Sequence, residues 1–395
     1  MRNVEDNQLV ISFLGDVTCD RPMLRAAKRA DGHYDYGRSL AQLKPLFSES
    51  DFVVGNLETV CAGSKYGYNP GAITYNTPDE FIGALKRAGI NVLTTANNHC
   101  LDMGLRGIRR TIQLLDARGI LHTGTYMTAD VPASERVLYL EKNGIRVAIA
   151  AFTAVMNRKP DGKAYSEEEW NSVNQLRIQP ELSGSVLKRA AKKVLPVKWI
   201  KEQKANLDRK RGIPLVKAKI DNEEIMAADS DQIMHAISIL RDAKSKADYV
   251  VACIHSGGQF NPEPGSYTKE LFEKISPYAD AIIGNHPHVI QKMEYTDEGH
   301  IVAYSLGSLN MSNSGDYVDH TYHPEYSAML TLCLRKEKDG VSVDAGHTIL
   351  HGKESDDGYL TVCKSSSSDA EAVKAENRFV SGKGPMKEMP GTQRS

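Results

Sequence analysis

Several short apolar runs in this chain end on residues able to ligate a metal, and this pairing constrains the fold more than any other feature. Residues 9–14 lead into Gly15-Asp16, and residues 51–55 into Asn56-Leu57-Glu58. Residues 91–95 lead into Ala96-Asn97-Asn98-His99, residues 248–254 into His255, and residues 279–283 into Gly284-Asn285-His286-Pro287-His288. Apolar runs of this length have the size of buried strands. Helical spacing lies between them, at 39–47, at 78–88 with Pro78 at its start and Gly89 suited to its C-cap, at 105–118 closed by Gly119, and at 269–278. Short buried strands alternating with helices argue an α/β fold built in layers. Ligands of such sheets collect beyond the carboxyl ends of the strands, so these five ends are expected to converge.

The rest of the chain is organised around that core. Residues 137–140 and 146–152 bracket Asn143-Gly144, a hairpin signal. Residues 301–306, 328–335 and 341–347 read as strands, with a turn at Asp339-Gly340. Residues 1–155 and 232–352 are expected to form one domain. Residues 156–231 interrupt it with a basic segment that runs from Lys188 to Arg211 and includes a potential amphipathic helix at 186–200. That segment is either a solvated insertion or a cap that draws in an anionic substrate. Residues 364–395 are rich in Ser, Lys and Pro and are expected to be disordered.

Lys plus Arg is 49 and Asp plus Glu is 50, a net −1, which argues neither for nor against nucleic acid. A nucleic-acid phosphodiesterase gains little from this balance, and no nucleic-acid partner is expected. The six cysteines contain no CxxC pair and read as reduced thiols of an intracellular protein. Residues 1–8 are polar, the apolar run after them is too short for a signal peptide, and no stretch has the length of a membrane span. The expected location is the cytoplasm, including a peripheral position on the membrane.

The run ends supply the candidate site. His286 and His288 flank Pro287, whose fixed φ makes a stiff turn, and two imidazoles presented together suit a metal. An ordinary polar loop is the other reading of that tripeptide. Asp16 is a metal carboxylate or a turn residue. Glu58, beside Asn56, is a bridging carboxylate or the partner of a nearby lysine. Asn97-Asn98-His99, with Asp102 three residues on, offers an amide ligand and a reactive imidazole, or caps the following helix. His255 precedes Ser256-Gly257-Gly258, where glycines let a ligand approach, and is otherwise a core histidine. Tyr304, in Tyr304-Ser305-Leu306-Gly307-Ser308, is a candidate wall of the pocket or a plain strand residue.

Taken in order, these blocks resemble the bacterial poly-γ-glutamate capsule-synthesis (CapA-type) family, from Gly15-Asp16-Val17 to Ala303-Tyr304-Ser305-Leu306-Gly307-Ser308. The resemblance implies a four-layer αββα sandwich of the metallophosphoesterase type. It implies one or two divalent metal ions, with Mn, Fe and Zn as candidates. Asp16 and His288 would serve one ion, Asn98, His255 and His286 the other, and Glu58 would bridge. His99 would be the catalytic acid or electrostatic stabiliser, and Asn56, Asn97 and Tyr304 would contact substrate. Thr18 stands where two-metal phosphoesterases carry a histidine. The implied function is a hydrolase or transferase, cutting or forming a phosphoester or amide bond, in synthesis or processing of poly-γ-glutamate or a similar anionic capsule polymer. The alternative is a non-catalytic accessory protein of a polymer synthase complex. The implied partners are an anionic polymer or small-molecule substrate and that complex.

Overall fold

The apolar runs become strands of two mixed sheets in the computed structural model, which describes residues 7–71, 74–159, 163–179, 207, 221–315 and 317–382. One sheet contains β1 (Gln8–Val17), β2 (Phe52–Leu57), β3 (Val92–Thr94), β4 (Leu121–Thr123), β11 (Tyr326–Glu337), β12 (Gly340–Glu354) and β13 (Leu360–Lys364), in the order β13-β12-β11-β1-β2-β3-β4. The other contains β5 (Leu138–Lys142), β6 (Ile145–Thr153), β7 (Tyr249–His255), β8 (Ala281–Asn285), β9 (Met293–Tyr295) and β10 (Ile301–Ala303), in the order β5-β6-β7-β8-β10-β9. Neighbours from β1 to β4 and from β6 to β8 run parallel, so their carboxyl ends share one edge of each sheet.

Alternation decides which side chains lie between the sheets. Leu9, Ile11 and Phe13 of β1 meet Val147, Ile149 and Ala151 of β6 and Val251 and Cys253 of β7 in one shared core. The intervening Ala148, Ala150, Val250, Ala252 and Ile254 pack outward against the helices Ser230–Lys244 and Ser266–Ile275. On the far side of the first sheet, Leu14, Val17, Val53 and Leu93 cover the helices Arg21–Ala27 and Asp79–Ala88. The layers are therefore helix, sheet, sheet, helix, the αββα sandwich that the resemblance implied. Period-2 alternation also sets where the run ends point. His255 follows Cys253 by two and continues the inward face of β7.

Several boundaries differ from the sequence expectation. Residues 39–47 are three short helical pieces, because Pro45 lacks the N–H that a continuous helix requires. Residues 163–179, expected to belong to the insertion, pack into the body. Tyr165, Trp170 and Val173 join the core between the sheets, and Gln175 bridges to Thr153. The potential helix at 186–200 and the basic residues from Lys188 to Arg211 lie outside the described residues. The tail expected to be disordered contains the helix Ala370–Phe379, capped by Asp369, which buries Ala372, Ala375 and Phe379 in the core between the sheets. An apolar face of this spacing is enough to dock a short helix, and the Ser- and Lys-rich composition hid it.

Candidate metal centre

Two glycines let the backbone bring the run ends together. A Cβ on Gly15 would sit 1.9 Å from the Gly307 carbonyl oxygen. Its absence lets the Asp16 N–H donate to that oxygen at 2.9 Å, at the point where the β1–β2 register shifts. A Cβ on Gly284 would lie 2.0 Å from the Tyr304 carbonyl oxygen, so only glycine fits where β8 passes that segment. Beyond β8 the chain turns sharply, with φ of 101° at His286 and 61° at His288. Non-glycine residues adopt such angles at a cost, and the cost is met here by ring contacts and by a hydrogen bond from the His286 N–H to Asp16 Oδ2 at 3.1 Å.

The result is a buried cluster that joins the two sheets. His255 Nε2 lies 2.8 Å from Asn98 Oδ1, 3.0 Å from His286 Nδ1 and 3.5 Å from Glu58 Oε1. His288 Nδ1 lies 3.1 Å from Asp16 Oδ2, 3.7 Å from Glu58 Oε2 and 2.9 Å from Ser308 Oγ. Glu58, His255 and His286 form one group of potential ligands, and Asp16, Glu58 and His288 form another. Ligand atoms within each group lie within 4.8 Å of one another, and Glu58 is common to both.

Glu58 shows what the cluster is suited to hold. It is 1% exposed, and neither carboxylate oxygen has a hydrogen-bond partner among the described residues. Burial, with Asp16 and then Asp102 nearby, pushes its carboxyl well above the usual carboxylate range. Burial, followed by His286, His288 and His99, holds the His255 imidazole well below the usual histidine value, so the ring is neutral at neutral pH. Neutral imidazole is the form that ligates metals. A buried carboxylate without donors is costly unless it meets a cation. Imidazole, carboxylate and amide donors around one shared carboxylate could bind metal.

The other expected residues occupy a supporting layer. Asn56 Nδ2 donates to Asp16 Oδ1 at 2.7 Å and lies 3.2 Å from His255 Nδ1. Asn97 Nδ2 donates to the Leu57 carbonyl at 2.8 Å and to Asn56 Oδ1 at 3.2 Å, and its Oδ1 accepts the His99 N–H at 3.1 Å. These amides are engaged in positioning the cluster. Tyr304 packs on the outer face of its sheet. Its ring stacks on Phe272 of the outer helix at 5.3 Å, and its hydroxyl donates to Glu294 at 2.8 Å. The outward alternation of β10 carries it to that face.

His99 lies beside the cluster and is oriented by Asp102, whose Oδ2 is 2.6 Å from Nδ1. The same oxygen accepts the Tyr75 N–H at 2.7 Å, and the Tyr75 ring lies 4.4 Å from the imidazole. Asn157 was not foreseen. Its Oδ1 accepts from Asn98 Nδ2 at 3.1 Å, and its Nδ2 lies 3.2 Å from His99 Nδ1. A single polar residue at the start of an apparent insertion carries no signal of such a contact. A cavity of about 450 Å³ opens onto the cluster, lined by Asn98 and His286 together with Asn157, Trp170, Gln175 and Arg177. His99 is not among its lining residues.

Comparison with known proteins matches most of the chain to one family. Residues 10–312 match the family model described as "Bacterial capsule synthesis protein PGA_cap". The chain is 26% identical over 313 residues to the PGA biosynthesis protein CapA of Bacillus subtilis (strain 168), covering 78% of this chain and 64% of that protein. It is 24% identical over 313 residues to the capsule biosynthesis protein CapA of Bacillus anthracis, covering 78% and 61%. It is also 26% identical over 322 residues to y4sH, an uncharacterized protein of Sinorhizobium fredii (strain NBRC 101917 / NGR234), covering 78% and 66%. The chain thus spans less than two thirds of the length of these relatives. A solved structure overlays with a TM-score of 0.36 at 10% identity, covering 85% of this chain and 98% of that one, too loose a likeness to add to the fold described above. Among the described residues no helix is long and apolar enough to cross a membrane.

Proposed function

Because the chain belongs to the bacterial capsule synthesis protein family, we propose that it is a metal-dependent hydrolase or transferase of the metallophosphoesterase kind. Its bond would be a phosphoester or amide, and its role the synthesis or processing of poly-γ-glutamate or a similar anionic polymer. The observation that carries this reading is Glu58, a buried carboxylate between two groups of potential ligands, neither of whose oxygens has a hydrogen-bond partner among the described residues. Asn98, His255, His286 and Glu58 would hold one divalent ion, and Asp16, His288 and Glu58 a second. When bound, such an ion supplies Lewis acidity and makes water nucleophilic near neutral pH.

The chain's own residues do the rest. Asp102 accepts the Nδ1 proton of His99, which leaves Nε2 as the atom that gives or takes a proton at the leaving group. Asn56 and the His286 N–H hold the Asp16 carboxylate by both oxygens. The cavity at Asn98 and His286 receives the substrate, and its lining residue Asn157 adjoins the His99 ring. The test is metal analysis followed by turnover of a phosphodiester and a γ-glutamyl peptide. Bound metal with turnover abolished by His99→Ala supports the reading, and absence of both metal and turnover sinks it.

Thr18 favours a second reading. Its buried hydroxyl has no hydrogen-bond partner among the described residues, and it stands where the resemblance places a further histidine ligand. A chain deficient in that half would be an accessory protein of a synthase complex, binding polymer without turning it over.

A further inference from the structure

We propose that a second cavity, lined by Arg136, Gln175, Gln232 and His235, is an anion-binding site that takes a carboxylate or phosphate group. Its volume is about 280 Å³. Arg136 is 6% exposed, and every acceptor its guanidinium meets is neutral. Nε donates to the Val131 carbonyl, Nη1 to Asn174 Oδ1, and Nη2 to the Ala129 and Asn171 carbonyls, all at 3.0 Å. Its face lies over the Tyr126 ring at 4.7 Å. No described carboxylate pairs with it. Asp130, which also lines the cavity, is exposed and accepts a hydrogen bond from Thr128.

These contacts engage four of the five N–H donors and, among the described residues, leave the charge uncompensated. A buried cation without a counter-ion is costly, and the planar guanidinium is suited to an oxyanion. Gln175 is a second, independent sign. It is 6% exposed, and its Nε2 has no acceptor among the described residues. It lines both this cavity and the larger one at Asn98 and His286. The positive charge is felt across the cavity, where burial and then Arg136 hold the His235 imidazole below its usual value. One oxyanion would supply the missing charge. The inference does not depend on how the metal centre is read.

The test uses the full chain treated with chelator, titrated calorimetrically with inorganic phosphate and, separately, with glutarate. At least one probe binds, and the tighter one identifies the source of the group. His235→Glu sets a negative charge on an exposed helix position and is expected to weaken binding at least about tenfold, because like charges are then opposed. Gln232→Glu, one turn earlier, gives the same loss and serves if the first variant fails to fold. His286→Ala leaves binding in place. Failure of both probes to bind, binding that survives the glutamate variants, or binding lost in His286→Ala would each overturn the proposal.

Discussion

Replacing Glu58 by glutamine separates the cost of the shared carboxylate from its use. In metal-free protein the folded state holds the Glu58 proton to higher pH than the unfolded chain does, because burial beside Asp16 and Asp102 disfavours the charge. The folded state therefore binds more protons, and stability falls as pH rises from the unfolded value, about 4.3, toward the raised folded value. The slope is about 1.4 kcal/mol per pH unit within that window. Glu58→Gln has no proton to lose, so its stability relative to wild type improves as pH rises. His255 works in the opposite direction. Its depressed folded value makes stability rise with pH up to about 6.5, and this contribution largely cancels between the two proteins. Added divalent metal reverses the order. Wild type gains about 2.7 kcal/mol at a metal concentration one hundred times Kd, whereas the variant, deprived of the ligand shared by both groups, gains little. Urea melts across pH, with chelator and then with Mn or Zn, read both effects. Parallel pH profiles without metal, or equal stabilisation by metal, would refute the reasoning.

Other outcomes follow from the same geometry. His99→Ala is expected to lower turnover by about 10²–10⁴-fold while bound metal is unchanged, and Asp102→Asn to lower it through loss of ring orientation, as steady-state kinetics paired with metal analysis would read. Metal affinity is expected to tighten as pH rises, since the proton that burial keeps on Glu58 must leave, and competition titrations at several pH values check this. Gly15→Ala is expected to destabilise by about 1–3 kcal/mol, because its Cβ would collide with the Gly307 carbonyl, and thermal unfolding measures the loss.

Run length and alternation made the strands legible, and the resemblance supplied the order of layers. The gathering of candidate ligand types was legible too, since Asp16, Glu58, Asn98, His255, His286 and His288 all sit at or just beyond strand ends and come together in the structure. What could not be read was orientation. Asn56, Asn97 and Tyr304 occupy the same blocks as the candidate ligands, and the two amides make internal hydrogen bonds while Tyr304 alternates outward onto Phe272. Asn157 escaped notice because its contact with Asn98 and His99 is made only through tertiary packing. The helix Ala370–Phe379 lies in a segment whose Ser- and Lys-rich composition masks the helical spacing of Ala372, Ala375 and Phe379.

The central claim is that Glu58 is shared by bound divalent metal. Anomalous-scattering maps from crystals of the protein purified without chelator test it most directly. The account predicts a peak within ligand distance of Glu58, Asn98, His255 and His286, with or without a second beside Asp16 and His288. Well-ordered Glu58 and His255 side chains with no anomalous peak between them, in crystals grown with added Mn or Zn, would contradict it.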